Sequence, residues 1–298
     1  MNESKGYFYM LLVVLMHSLP AICVKFLYQS TNVYTTQMFW FMSASFWSLI
    51  LLFGKKGSRI IKDIKKHYKL LFFFATANAA GILTFFYGLI YISPGVISFL
   101  DRFGTVFQIL LGVFILKEVF NQKELYGLIL SMIGVVILSY SNNSKIVLTA
   151  LIYLLGSLIY SFGFVMVKKN SKKISHYTFM FFRAWFMLFI LTILTFVTHN
   201  YQPPSISTIP IFVIVPLFSA VIGQILQYKA FDYIGIGKSA LVKNLLPFST
   251  VILAYFILGD ILNIQQIIGG IIVITGLTIM MIFRKSSIKN LSVIEDEI

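Results

Sequence analysis

The residues of this chain that could do chemistry are few, and most stand inside apolar stretches. Within Ser93–Gly134, Asp101 and Arg102 interrupt an otherwise hydrophobic helix, and Thr105, Gln108 and Gly112 follow Asp101 at helical spacing to form one polar stripe. Asp101 lies about 9 Å past Gly95 at a rise of about 1.5 Å per residue, too deep to reach lipid headgroups. An ionisable group at that depth is costly unless it pairs or faces water, so such residues line cavities; the competing reading is an ion pair that only fixes helix packing. Arg102, about 100° further round the helix, can grip an anionic group or snorkel outward, and is expected to meet Asp101 only indirectly. Lys243 and Asn244 make a second polar pair, with snorkelling of Lys243 to the nearer helix end as its rival reading. Arg183, with Trp185 nearby, can bind an anion or carbonyls, or anchor helices. His17 shares a face with Ala21 and Lys25; it is a candidate, with Asp101, for a coupling proton, and equally for a hydrogen bond between helices.

Other polar residues carry weaker signals. Asn78, Gln224 and Gln227 contact a solute or glue helices together. Lys25 and Lys229 stand near helix ends and read as anchors, and the aromatic residues, Tyr160, Trp40 and Trp185 among them, read mostly as packing or interface groups. The single cysteine, Cys23, excludes an intrachain disulfide or a multi-cysteine metal site, and no second histidine stands near His17, so no metal or cofactor is expected. Neither G-x-x-x-x-G-K-[ST] nor a strand followed by G-x-G-x-x-G is present, so ATP is not expected as a direct energy source.

The elements that must position these groups follow from composition. With 58% hydrophobic and 11% charged residues in 298, the chain is too apolar to cover a water-soluble surface, and its solvent is a lipid bilayer. The net charge of +14 lies in short basic runs between apolar segments, which fits a bilayer's charge asymmetry and not nucleic acid. The first apolar run follows Lys5 as a signal peptide would, but Glu3, the lack of an A-x-A site and the many later spans make it a membrane helix. Segments near the length of roughly 20 residues that a bilayer needs fall at Tyr7–Tyr28, Tyr34–Phe53, Leu70–Tyr91, Gly95–Leu116, Glu124–Tyr140, Ile146–Val167, Tyr177–Val197, Pro210–Phe231, Ser239–Leu258 and Gln265–Phe283. The expected fold is an all-α polytopic membrane protein of ten transmembrane helices.

Sliding the chain by 142 positions sets Gly81 on Gly223, Gly95 on Gly237, Asp101 on Lys243, Arg102 on Asn244, Asn121 on Asn263, Gly127 on Gly269 and Gly134 on Gly276, with Glu118 on Asp260. This is an internal duplication. The halves are 1–144 and 145–287, followed by a short cytoplasmic tail, 288–298. Lys and Arg crowd alternate loops, with Lys55, Lys56, Arg59, Lys62, Lys65, Lys66 and Lys69 in the second, Lys117 and Lys123 in the fourth, and Lys168, Lys169, Lys172 and Lys173 in the sixth. By the positive-inside rule both termini are then cytoplasmic. Five helices per copy force the second copy to enter from the opposite side, giving two inverted five-helix repeats, a layout of secondary transporters. The glycine pairs Gly127/Gly134 and Gly269/Gly276 permit close helix contact, in a monomer core or across a homodimer.

The repeat, the ten spans and the basic loops make the chain resemble the drug/metabolite transporter superfamily, of the EamA-like kind. Pro247, Asp260 and Gly269-Gly270 match the family pattern in the second half, and Glu118 and Gly127 in the first; Thr105 stands where the first half often has Pro. Ser18/Lys25 and Ser161/Lys168 resemble its small-residue patch followed by Lys, and Arg183 its second-helix Arg, where the first half has Trp40. The resemblance implies a carrier of small organic metabolites, amino acids among them, often outward across a bacterial inner membrane. Together these readings lead to a secondary transporter working by alternating access, with Asp101, Arg102, Gln108, Arg183, Lys243 and Asn244 contacting substrate. The alternatives are a membrane-embedded enzyme acting on a lipid or isoprenoid, and a non-transporting scaffold with a solidly packed midplane.

Overall fold

The computed structural model describes residues 3–116, 121–170 and 174–295. Lys117, Glu118, Lys172 and Lys173 lie outside them, as do the side chains of Lys55, Lys56 and Lys168. The regular structure of the described chain is all helical, as α1 (Glu3–Leu27), α2 (Val33–Ser48), α3 (Gly54–Tyr91), α4 (Pro94–Leu116), α5 (Gln122–Ser139), α6 (Ser144–Asn170), α7 (His176–Val197), α8 (Ile209–Pro216), α9 (Gly223–Lys243), α10 (Leu246–Leu258) and α11 (Ile264–Glu295). Among the described residues nine helical stretches are long and apolar enough to cross a membrane, and α2 with the π-helical turn Leu49–Phe53 supplies a tenth. Large apolar side chains such as Phe8, Leu15, Phe114, Leu155 and Phe189 lie exposed on the outside, as a protein solvated by lipid requires.

The caps repeat with the duplication. Asn121 and Glu124 form a capping box at the start of α5, and Asn263 and Gln266 form its equivalent ahead of α11, with Gln266 N–H donating to Asn263 Oδ1 at 2.8 Å and Asn263 N–H to Gln266 Oε1 at 3.1 Å. Asn32 caps α2 through Thr35 N–H at 2.9 Å, and Ser175 caps α7 through Tyr177 N–H at 3.3 Å. These side chains satisfy the orphan amides of a first turn, which lipid cannot do.

Packing interleaves the halves. The first helix of each half leaves its own copy: α1 packs on α9 and α10, and α6 on α3 and α4. Equivalent helices also pair directly, as α2 with α7, α4 with α10 and α5 with α11. At the last of these a Cβ on Gly127 would stand 2.6 Å from the Gly276 carbonyl oxygen, and one on Gly134 2.9 Å from that of Gly269. The partner recedes along α11 as α5 advances, so the two helices run antiparallel. Both glycine faces are used up inside one chain, in the monomer core.

Two boundaries differ from the sequence reading. The basic stretch expected as the second loop is helical and opens α3, because Ile60 buries completely and Asp63 Oδ2 accepts from Ser175 N–H at 3.0 Å and Thr178 Oγ1 at 2.8 Å, tying it to the start of α7. The ninth span is not continuous: α9 runs through to Lys243, the backbone turns at Asn244–Leu245, and α10 restarts with Pro247 in its first turn. Proline fits there because its missing N–H would have no helical partner anyway.

Candidate functional site

The site is built where the helices of both halves lose their regularity. In α1, Pro20 cannot donate to the carbonyl of Met16, which loosens the helix one turn from His17. Between α8 and α9 the chain passes through a π-helical turn, Leu217–Ile222, just after Pro216. The Ser219 carbonyl in that turn accepts a hydrogen bond from the His17 ring, while His17 Nε2 is buried with no partner. Gly223 makes room for the imidazole, since a Cβ there would stand 2.8 Å from Nε2. The equivalent Gly81 on α3 makes the same room for Tyr160 of α6, whose Cβ would be 2.8 Å away. His17 and Tyr160 therefore occupy matching notches in the two halves.

Around them stand the charged groups. Arg102 forms a salt bridge through Nη2 with Asp101 Oδ2, and the buried Tyr153 donates its hydroxyl to Asp101 Oδ1 at 2.9 Å. The direct pair corrects the expectation of an indirect one: the guanidinium is long enough to reach back round the helix. Arg102 exposes only 9% of its side chain, and its Nε is buried without a partner. Asp101 exposes 43% of its side chain although protein surrounds it, so it faces a water-accessible space inside the bundle. Lys243, at the end of α9, turns inward and donates to Gln227 Oε1 at 3.0 Å; it does not snorkel. Its charge acts on Asp101 and Arg102, and the charges of Lys243, Arg102 and Arg183 all act on His17. Arg183 also interacts electrostatically with Tyr160 and Tyr228, and its Nε is buried and unpartnered.

The structure thus gathers Asp101, Arg102, Arg183, Lys243 and His17, five residues that the sequence left scattered over four helices. Two others stand apart. Asn244 Nδ2 turns to α11, where Thr278 Oγ1 is 3.4 Å and Met281 Sδ 3.8 Å away. Gln108, two turns along α4 from Asp101, is half-buried and makes no hydrogen bond among the described residues. Sequence reasoning missed Tyr153 and set Tyr160 among the packing aromatics. Their spacing of seven residues, one face of α6, was the available signal.

A bowl of about 840 Å³ opens at the lysine-poor end of the bundle, lined by Lys25, Tyr28, Asn32, Ser93 and Asp260 among others. Lys25 lies about 12 Å beyond His17 along α1 at about 1.5 Å per residue. It caps α3, donating to the carbonyls of Leu89 at 2.7 Å and Ile90 at 3.1 Å, where the sequence reading had a membrane anchor. Asp260 accepts a hydrogen bond from Ser93 and lies within electrostatic reach of Lys25. Its burial pushes the carboxyl above the usual carboxylate range, against the opposing pull of Ser93 and Lys25.

Membrane-length helices packed round a buried, wet cluster of ionisable groups define a multi-pass membrane protein with a polar interior. The profile of the EamA-like transporter family matches the chain twice, over residues 4–140 and 147–282, and the chain belongs to that family. It is similar to an uncharacterized transporter of Clostridium kluyveri, 25% identical over 298 aligned positions and 92% of each chain. The uncharacterized transporter YyaM of Bacillus subtilis is 26% identical over 206 positions, 64% of this chain and 66% of that one. A protein of Fusobacterium nucleatum named riboflavin transporter ImpX is 24% identical over 243 positions, 76% of this chain and 81% of its own. A solved crystal structure superposes with a TM-score of 0.68 at 11% identity, covering 95% of this chain and 98% of that one, a likeness of fold alone. The protein is a membrane transporter and not an enzyme.

Proposed function

We propose that this protein is a secondary transporter, moving a small organic metabolite across a bacterial inner membrane by alternating access between two inverted halves, 1–144 and 145–287. The observation that carries this reading is Asp101, partly water-accessible yet surrounded by the charges of Arg102 and Lys243 from the two halves. The inverted relation is supported by the antiparallel contact of α5 with its own equivalent, α11. A two-fold axis relating antiparallel copies lies across the helices, hence in the membrane plane, and exchanging the conformations of the copies would exchange an outward-open for an inward-open cavity. The basic alternate loops favour cytoplasmic termini and a cytoplasmic tail, 288–298. Helix irregularities at Pro20, Leu217–Ile222 and Asn244–Leu245 support this reading, since many carriers break their helices around the solute.

In this reading Asp101, Arg102, Arg183 and Lys243 face the solute, with Gln108 and Asn244 at the margins on α4 and the α9–α10 joint. The positive charges of Lys243, Arg102 and Arg183 act on His17, so the partly water-accessible Asp101 is the more open site for a coupling proton. The relative named for riboflavin makes that vitamin one solute to try. The test is exchange by the purified full chain in liposomes: solutes that leave protein-containing vesicles faster than empty ones support the reading, and no solute leaving faster refutes it.

A further inference from the structure

Among the described residues the central cluster holds three cationic side chains, Arg102, Arg183 and Lys243, against one carboxylate, Asp101. That carboxylate is already committed, one oxygen to Arg102 and the other to the Tyr153 hydroxyl. Arg183 and Lys243 form no salt bridge with any described carboxylate; the one hydrogen bond of Lys243 is to the neutral Gln227. Arg183 and Lys243 are half-buried, and cations held inside a membrane protein without a counter-charge are costly unless water or an anion reaches them. The donors left over are Arg183 Nε, Arg102 Nε and the remaining Lys243 ammonium hydrogens, while His17 Nε2 offers an acceptor. Arg183 and Lys243 both act on His17, and an oxyanion can take a forked contact from a guanidinium and a point-charge contact from an ammonium.

We infer that the transported solute is an organic anion whose carboxylate or phosphate group lies between Arg183 and Lys243, with a hydroxyl or N–H elsewhere on the solute donating to His17 Nε2. A zwitterion's ammonium group would enter a cluster of three cations with a single described carboxylate, itself paired with Arg102, to offset them. A cation would meet like charge. This inference rests on the transport reading above and narrows it.

The experiment loads proteoliposomes of the full chain with a uniformly 13C-labelled extract of bacterial soluble metabolites, riboflavin added, and follows by mass spectrometry which species leave faster than from empty vesicles. Selective loss of anions is the expected result, and whether these are carboxylates or phosphate esters identifies the group bound. Selective loss of zwitterions, cations or neutral solutes such as riboflavin overturns the inference and leaves the carrier reading standing; loss of no species overturns both. For a lost anion, Arg183→Gln and Lys243→Gln should each slow efflux at least tenfold, with Arg183→Lys intermediate and all three variants monodisperse with unchanged melting temperature. Unaltered efflux in both Gln variants would overturn the assignment of the binding group.

Discussion

Ser131 and Val273 are the same position in the two halves, 142 residues apart, and they touch: the Ser131 hydroxyl lies 3.5 Å from the Val273 carbonyl oxygen. In the inverted arrangement proposed above, the axis relating the halves would pass between these two, since residues on such an axis meet their own equivalents. Gly127 against Gly276 and Gly134 against Gly269 flank it, each contact the symmetry partner of the other. The nearest atoms a Cβ would meet at Gly127, Gly134 and Gly269 are backbone atoms of the facing helix, which cannot swing aside as a side-chain tip can.

Gly127→Leu should therefore disrupt the seam. A Cβ already meets Gly276 O at 2.6 Å and Met280 N at 2.7 Å, and overpacking of this kind costs about 1–3 kcal/mol or more. The melting temperature in detergent should fall by several degrees, while Tyr126→Leu, one residue away on the exposed face, should leave it unchanged. Equal effects from the two would contradict the packing described.

Asp101→Asn strands the Arg102 guanidinium. Losing one member of a fully buried pair costs about 3–5 kcal/mol, and the partial accessibility of Asp101 reduces this to about 1–2 kcal/mol. Adding Arg102→Gln should restore much of the stability without restoring transport. Double-variant stability below that of Asp101→Asn alone would argue against the pair.

The pH dependence of stability should show Asp260. Its carboxyl is pushed up by burial, so its contribution is most favourable below the usual carboxylate range and is lost as pH rises through the raised value. Asp260→Asn should gain stability relative to the natural protein as pH rises from about 4 toward neutrality. A difference in melting temperature that is flat across that range would contradict this.

In a Cys23→Ala background, single cysteines at Ser4 and Ser287 should react with an impermeant thiol reagent from one face of sealed vesicles, and one at Asn142 from the other. Opposite labelling of Ser4→Cys and Ser287→Cys would break the inverted arrangement.

Much of the fold was legible because lipid leaves little choice: span lengths, polar turns and repeated glycines survive in the sequence as simple spacings. The Asn121/Asn263 match was visible too, although its capping role emerged only with Glu124 and Gln266 in place. Two boundaries were not legible. The basic stretch before Leu70 has loop-like charge, but Ile60 and Asp63 dock it as helix; and the break at Asn244–Leu245 follows an α9 that continues beyond the expected end of the eighth span. At the site, charged residues announced themselves through their cost in lipid. Tyr153 did not, since a tyrosine in an apolar helix carries no such cost, and the reach of Arg102 to Asp101 is a rotamer choice that spacing cannot reveal.

Alternating access requires that water and solute reach the Asp101 face of α4 from either side of the membrane in turn. Thr105, one turn along that face and half-buried, offers the most direct measurement: Thr105→Cys in the Cys23→Ala background, challenged with an impermeant thiol reagent from each side of sealed vesicles. Alternating access predicts reaction from both sides, slowed by the transported solute. Reaction from neither side, or from one side alone under all conditions, would contradict it.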